Sequence, residues 1–377
     1  MIYFDNGATT FPKPRRVIRE VKKCMERIGG NPSRSSHSLS IMAGEEVYKT
    51  REAVAELIKA KTPENVVFTY NATYALNMAI KTLIREKCHV ITSDIEHNSV
   101  IRPLKSLEER LGIETDQFDS DAEPEEAILP LIKPDTRFIV STIASNVTGK
   151  EIDINALAKI AKEHSLGLII DASQALGHKN IDLTECECDA ICAPAHKALF
   201  GIQGTGFVYF KSKYRSGEFI EGGSGTNSIE PKMPLVLPEG YEAGTLGTPG
   251  IVALRKGIEF INEKGLDNIE KHLNSLRINV SDAIKDIEGV RLYRSWGGNL
   301  IFNLFDLSSN EVSGLLDEYG ICTRGGLHCS PSAHSKLGTL DNGTVRLTFS
   351  IMNTFYEAER FVKVLKLISQ KRQNKHH

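Results

Sequence analysis

The sequence predicts an α/β protein: a large domain on a mostly parallel sheet with helices on both faces, joined to a smaller α+β domain. Three observations carry this. From about residue 40 to 210, segments of helical period alternate with short strand-like runs, the pattern of successive βαβ steps. The runs read as continuous Val/Ile/Leu stretches, which marks strands buried on both faces. After a Gly/Pro-rich stretch at 222–250 the texture changes to long amphipathic helices with isolated strands, as in a separate α+β layer. The expected division is 15–247 for the large domain, and 1–14 with 248–377 for the small one.

Taken in order, residues 43–59 predict a helix with Val47, Val54, Leu57 and Ile58 on one stripe. Residues 65–69 predict a strand, and 75–85 a helix with Leu76, Ile80, Leu83 and Ile84 turned inward. A strand at 89–93, a helix at 100–111 and a strand at 138–143 follow. Next come a helix at 154–164 and strands at 167–171, 190–193 and 205–209. Beyond the change in texture, helices are expected at 248–264 and 269–287, strands at 290–293 and 300–305, and helices at 310–319 and from 356 onward.

A chain of 377 residues is long enough for a large core and two domains. Its net charge of −2, with no basic stripe or Lys/Arg block, argues against binding nucleic acid or a membrane surface. No apolar run reaches membrane-spanning length, and the opening Met-Ile-Tyr-Phe-Asp lacks the charged and apolar regions of a signal peptide. The expectation is a soluble, cytoplasmic protein. The seven cysteines, an odd number, then read as reduced thiols. Cys186, Cys188 and Cys192 form a spacing that fits no structural zinc site, and Cys192 continues an apolar strand. Cys322, His328 and Cys329 lack a second ligand pair, so no metal is expected. The terminal Asn-Lys-His-His is set aside as tag or tail.

Two residues point to a specific chemistry. Asp171 ends the apolar run from Leu166 to Ile170, and Lys197 follows the run at 189–192 in Ala-Pro-Ala-His-Lys. Each lies at the C-terminal end of its own strand, the side on which open α/β sheets bind ligands. Such a pair suits pyridoxal phosphate: the lysine holds the aldehyde as a Schiff base, and the carboxylate keeps the pyridine nitrogen protonated. A solvated turn lysine is the plainer alternative. The apolar flanks of Lys197 and the glycines after it (Gly201, Gly204, Gly206) weigh against that.

Other residues gather at the same ends. The segment 68–74 lies between a strand and a helix, so backbone N–H groups there, with the Thr73 hydroxyl, suit a phosphate. An ordinary N-cap fits the same residues. His97, just past the strand at 89–93, has the place to stack on an aromatic ring. Asn146 and Gln174 have the place to donate to a phenolate oxygen. Each alone is turn chemistry; their shared position after strand C-termini is what links them. Cys329 lies on a Gly-containing loop, expected to be flexible, beside His328 and near Arg324, where adjacent cations would favour its thiolate. Arg346 interrupts an apolar strand. A buried arginine clamps a carboxylate, either structural or from a substrate.

In this order the segments resemble the cysteine desulfurases of the class V aminotransferase family, pyridoxal phosphate enzymes of fold type I. The resemblance rests on Tyr-Phe-Asp-Asn-Gly-Ala-Thr-Thr (3–10), Asn-Pro-Ser-Arg-Ser-Ser-His (31–37), Ser-Asn-Val-Thr-Gly (145–149), Asp-Ala-Ser-Gln (171–174), His196-Lys197 and Glu-Ala-Gly-Thr (242–245). It implies a seven-stranded sheet in the large domain. It makes Lys197 the Schiff-base lysine, Asp171 the pyridine-nitrogen partner and His97 the stacking histidine. Asn146 and Gln174 would tune the phenolate oxygen, while Ala72, Thr73 and His196 hold the phosphate. Thr245 would reach the phosphate in a neighbouring subunit, which implies a homodimer. Arg346 would bind the substrate carboxylate with Arg34, His37 or Asn6, and Cys329 would accept sulfur and pass it to an acceptor protein.

Three departures from the family pattern are visible. Asn-Ala-Thr-Tyr stands where Gly-Thr-Thr-Glu is usual, Pro194 where a serine is usual, and the cysteine loop reads Gly-Leu-His-Cys-Ser-Pro. That last form resembles a less characterised branch, some members of which are associated with selenium metabolism. The resemblance therefore implies conversion of L-cysteine to L-alanine. The alternatives are a selenocysteine lyase, another β-lyase such as a cysteine sulfinate desulfinase, a transaminase, or an assembly protein that only holds the cofactor.

Overall fold

The long Val/Ile/Leu runs become the middle of a sheet because their backbone polar groups pair laterally while both faces exclude water. In β6, Leu168, Ile169 and Ile170 are fully buried, each contributing roughly 1.5–3 kcal/mol of transfer free energy. The structure is a computed structural model and describes residues 1–32, 36–226 and 229–376.

Its elements run β1 (Ile2–Tyr3), α1 (Arg15–Arg27), α2 (Ser38–Leu57), β2 (Val66–Thr69), α3 (Ala72–Leu83) and β3 (His89–Ser93). They continue with α4 (Asn98–Leu111), β4 (Glu114–Phe118), α5 (Pro124–Ile128), β5 (Thr136–Thr142), α6 (Ile154–Glu163), β6 (Gly167–Asp171), β7 (Ala190–Pro194) and β8 (Gly206–Phe210). The remainder is α7 (Thr248–Lys264), α8 (Leu266–Ile284), β9 (Val290–Tyr293), β10 (Asn299–Leu304), α9 (Ser309–Glu318), β11 (Ile321–Cys322), α10 (Pro331–Leu337), β12 (Val345–Thr348) and α11 (Phe355–His376).

Two compact units result. The larger holds Lys13–Ile143 and Ile152–Glu263. Its seven-stranded sheet has the order β2-β8-β7-β6-β5-β3-β4, and only β8 pairs antiparallel with its neighbours. The chain leaves β3 toward β4 on one side and returns to β5 on the other. That reversal makes the C-terminal ends of β3 and β5 a switch point, where such sheets open a crevice. The mostly parallel α/β expectation holds, and Cys192 lies inside β7 as an apolar strand residue.

The smaller unit gathers Met1–Pro12, Ala144–Glu151 and Lys264–His377. A three-stranded antiparallel sheet, β12-β10-β9, and the parallel pair β1–β11 form its strands. Ile269, Leu273, Leu276, Val280 and Ile284 form the buried stripe of α8, at the three- and four-residue spacing of an amphipathic helix.

The division differs from 15–247 against the rest. Helix α7 belongs with the larger unit up to Glu263, because it lies directly against the Lys197 loop. A Cβ on Gly257 would fall 1.8 Å from the carbonyl oxygen of Leu199, so only glycine permits that approach. Conversely, 144–151 folds on itself through an Ala144–Glu151 bridge and belongs with the smaller unit.

Candidate active site

In the larger unit, Asp171 is the last residue of β6 and pairs with Cys192 of the parallel neighbour β7. Lys197 lies three residues beyond the end of β7. The two groups expected to act together thus leave the same edge of the sheet from adjacent strands. The lysine loop is closed by backbone bonds from Ala195 to Thr205 (3.0 Å) and from Gly201 to Ala195 (2.8 Å). Lys13, which sequence reasoning passed over, donates from Nζ to the His196 carbonyl at 2.8 Å. Burial lowers the Lys13 amine to about 8.

Burial, with the charges of Lys197 and Lys13 beside it, lowers His196 to about 4. The ring is therefore neutral at pH 7. Gln174 is half-buried in the turn after β6.

Helix α3 starts at Ala72, three residues before the periodicity predicts, because the cap Asn71 accepts the Tyr74 N–H at 2.9 Å. The first bond to a helix carbonyl is made by Ala75, so the N–H groups of Ala72 and Thr73 point out of the helix N-terminus. Gly206 lets this turn approach β8: a Cβ there would meet the Asn71 carbonyl carbon at 2.8 Å. The Thr73 hydroxyl lies 2.8 Å from that of Ser99.

Ser99 also fixes His97. The imidazole caps α4, accepting the Ser99 N–H at Nδ1 (3.0 Å), with the Ser99 hydroxyl 2.9 Å away. A neutral ring whose Nδ1 accepts carries its proton on Nε2. The stacking candidate therefore has a defined tautomer, and Ser99 couples it to the phosphate candidate. Sequence reasoning missed Ser99; the pair Asn-Ser directly after His97 was the available signal.

Glu96, also missed, stitches the strand ends together. It is fully buried; Oε1 accepts from the Ser93 hydroxyl and from the Thr142 N–H (2.8 Å), and Oε2 has no hydrogen-bond partner among the described residues. Thr142 in turn pairs with Asp171. Burial, reinforced by the Asp171 charge, pushes Glu96 up to about 8. The unfolded value lies near 4.3, so the folded state holds an extra proton between about 4 and 8. Stability then falls as pH rises through that window. Glu96→Gln should remove this loss, on the order of 3 kcal/mol. Its melting temperature relative to the parent should be higher at pH 8.5 than at pH 5.5; an equal difference at both would refute the assignment.

Asp171 is itself buried. Its Oδ1 accepts the Ser173 N–H at 2.9 Å, and no cation pairs with it among the described residues. A lone buried carboxylate costs several kcal/mol unless a positive charge meets it. A protonated pyridine nitrogen is such a charge, and the open N–H groups of Ala72 and Thr73 suit a phosphate. The residues present fit pyridoxal phosphate.

Two further candidates cap or tie segments of this unit. His37 is the N-cap of α2, accepting the Ser40 N–H at 3.3 Å. Thr245 is exposed, its hydroxyl accepting from Asn31 at 3.1 Å. Its segment is anchored by Glu242, bound to buried Arg51 at 2.8 and 2.5 Å and to the Phe68 N–H at 2.7 Å. Arg34 lies outside the described residues.

The smaller unit carries the remaining candidates. Arg346 is fully buried in β12; its Nη2 meets Asp5 at 2.9 Å and its Nη1 the Asn146 carbonyl at 2.7 Å. A structural carboxylate is therefore present, while Nε is buried without an acceptor among the described residues. Asn6 donates to the Thr348 carbonyl (2.9 Å) and to Asn353 Oδ1 (3.1 Å), and its own oxygen accepts the Phe11 N–H. These bonds make it a pin for the N-terminal segment, a different task from the substrate contact expected of it. Asn146 donates to the His328 carbonyl at 2.6 Å and accepts the Ser330 hydroxyl at 2.5 Å, which leaves the amide a second N–H.

Cys329 is exposed, on a loop with an unusual backbone. His328 and Cys329 both hold positive φ, 51° and 60°, a conformation that costs roughly 1–2 kcal/mol per residue and persists only under restraint. The expected cationic help from His328 is absent: burial, then the Arg346 charge, lowers it to about 2. Its ring is neutral and turned to internal partners.

Known proteins resemble this chain over nearly its whole length. A probable cysteine desulfurase of Methanothermobacter thermautotrophicus is 30% identical, the match covering 98% of this chain and 94% of that protein. Another, from Pyrococcus abyssi, is 29% identical over 97% of this chain and 93% of its own length. The solved apo structure of a cysteine desulfurase from Thermococcus onnurineus NA1 superposes with a TM-score of 0.89 at 28% identity, over 98% of this chain and 95% of that one. The aminotransferase class-V family model matches residues 2–361, a span that takes in every candidate described above, and the chain belongs to that family.

Proposed function

We propose that the protein is a pyridoxal phosphate enzyme that desulfurates L-cysteine to L-alanine and receives the sulfur on Cys329. The observation that carries the reading is the buried Asp171 carboxylate, without a cation of its own, on the strand beside the one that leads to Lys197. When bound, the cofactor supplies an electron sink for the charge left at the substrate Cα. By the family resemblance, Ala72 and Thr73 would hold its phosphate, Asp171 its pyridine nitrogen, Gln174 and Asn146 its phenolate oxygen, and His97 its ring face.

The residues then act as follows. Lys197 takes the Cα proton as a base and returns one later as an acid. Arg346 fixes the substrate carboxylate, a role its unsatisfied Nε supports. The Cys329 thiolate attacks the substrate sulfur, so an S–S bond forms as the Cβ–S bond breaks. The balance is L-cysteine plus the Cys329 thiol giving L-alanine plus a Cys329 persulfide, which an acceptor protein would discharge. Asn6 is assigned to holding the N-terminal segment. Incubation with L-cysteine followed by mass spectrometry should find one added sulfur on Cys329 and alanine in equal amount. Pyruvate, sulfite or a keto acid in place of alanine would refute the reading.

The assembly proposed is a homodimer. Leu39, Ile41, Met42 and Tyr48 of α2 are exposed, apolar surface that a second copy would cover, and Thr245, also exposed, would face a neighbour's cofactor phosphate. Sedimentation should give twice the chain mass at micromolar concentration; full activity in a monomer would exclude the shared site.

A further inference from the structure

Behind Cys329 lies a second histidine that no part of the proposed chemistry uses. His334, in α10, is fully buried and stacks on His328 with ring centroids 5.4 Å apart and planes inclined by 20°. Three polar contacts run through the pair in one direction. His328 Nε2 lies 3.2 Å from the Arg324 carbonyl, and His328 Nδ1 lies 3.2 Å from His334 Nε2. His334 Nδ1 lies 2.8 Å from the Thr339 hydroxyl.

A carbonyl only accepts, so His328 carries its proton on Nε2 and accepts at Nδ1. His334 must then donate from Nε2, which leaves its Nδ1 to accept the Thr339 hydroxyl. Reversing any one bond sets two acceptors face to face. Burial, with Arg346 nearby, lowers His334 to about 4, so both rings are neutral and the order of donors is unambiguous.

The end of this chain is the residue that bends the loop. The Arg324 carbonyl also accepts the Arg346 N–H at 2.8 Å, which anchors it to β12. The Asn146 amide holds the His328 carbonyl from the other side, and the Ser330 N–H reaches Leu327 at 2.9 Å. Two successive non-glycine residues at positive φ need such redundant restraint.

We propose that His334 and Thr339 are positioning residues for Cys329: through the His328 ring they hold the left-handed corner that presents the thiol. The inference rests on the reading that Cys329 receives sulfur. A nucleophile set in place avoids the ordering cost that a mobile loop pays at each turnover. His334→Leu keeps an apolar filling but cuts the chain, while His334→Gln retains a donor in place of Nε2–H. Thr339→Val removes the hydroxyl at constant shape, and Thr339→Ser restores it.

The test measures persulfide formation on Cys329 with L-cysteine, alongside the histidine side-chain ¹⁵N spectrum. His334→Leu and Thr339→Val should slow persulfide formation roughly 10- to 100-fold with KM for L-cysteine within about threefold, and His334→Gln and Thr339→Ser should stay within about threefold of the parent. The parent spectrum should show His328 and His334 as neutral Nε2–H tautomers that do not titrate from pH 6 to 8. A Leu variant as fast as the parent, a Gln variant as slow as Leu, or a titrating or Nδ1–H pair would overturn the proposal. Persulfide absent from the parent itself would overturn the underlying function, and this inference with it.

Discussion

Asp171→Asn will lower kcat for L-cysteine by roughly 10²–10³-fold while the protein still folds and retains its cofactor. The argument is electrostatic. Asparagine keeps an oxygen for the Ser173 N–H, which now meets Asp171 Oδ1 at 2.9 Å, and it fits the same buried end of β6. What it lacks is charge. A neutral amide cannot hold a pyridine nitrogen protonated, so the substrate carbanion loses its sink. The loss belongs in kcat because the interaction matters only once charge develops. Cofactor absorbance after gel filtration separates this outcome from loss of binding. Parental kcat in Asp171→Asn, or in Asp171→Ala, would remove the basis of the proposed function.

Much of this site was legible because the sheet makes it so. Continuous apolar runs fix where strands end, and in a mostly parallel sheet the residues just past those ends share one edge. Strands β3, β6 and β9 and helix α7 fall where the pattern puts them. Strand β4, Glu-Thr-Asp-Gln-Phe, escaped because only Phe118 is buried, so an edge strand shows no apolar run. Helix α10 is too short for periodicity to register. Local capping explains other differences: Asn71 and His97 start α3 and α4 three and two residues before the starts that periodicity predicts.

Partners distant in sequence were not legible at all. Nothing in Thr-Val-Arg-Leu-Thr-Phe announces that Arg346 meets Asp5, or that Glu96 bonds the Thr142 N–H. Charge state was the other blind spot. His328 next to Cys329 reads as a cation, yet burial makes it a neutral element of the loop. The same burial gives a pH signature of opposite sign to that of Glu96. A histidine lowered below its unfolded value near 6.5 stabilises the fold above that pH, and the contribution is lost as pH falls toward the folded value.

Cys329→Ala will abolish the persulfide and slow L-cysteine turnover by roughly 10³-fold, with KM changed little. The thiol is exposed, and no other cysteine is exposed to that degree: Cys24, Cys88, Cys186, Cys188 and Cys192 are buried and Cys322 is half-buried. Burial raises the thiols of Cys188 and Cys192 well above the ordinary range, so neither offers the nucleophilic thiolate in its place. Cys322 is raised as well, by burial and by Asp317. With the nucleophile gone, the Cβ–S bond must break without an S–S bond forming, and the reaction loses the sulfur it would pass on. Selenocysteine provides the contrast, because a weaker C–Se bond breaks with less assistance. A variant that loses cysteine turnover but keeps selenocysteine turnover identifies Cys329 as the sulfur acceptor. A variant that turns over L-cysteine at the parental rate removes Cys329 from the mechanism altogether.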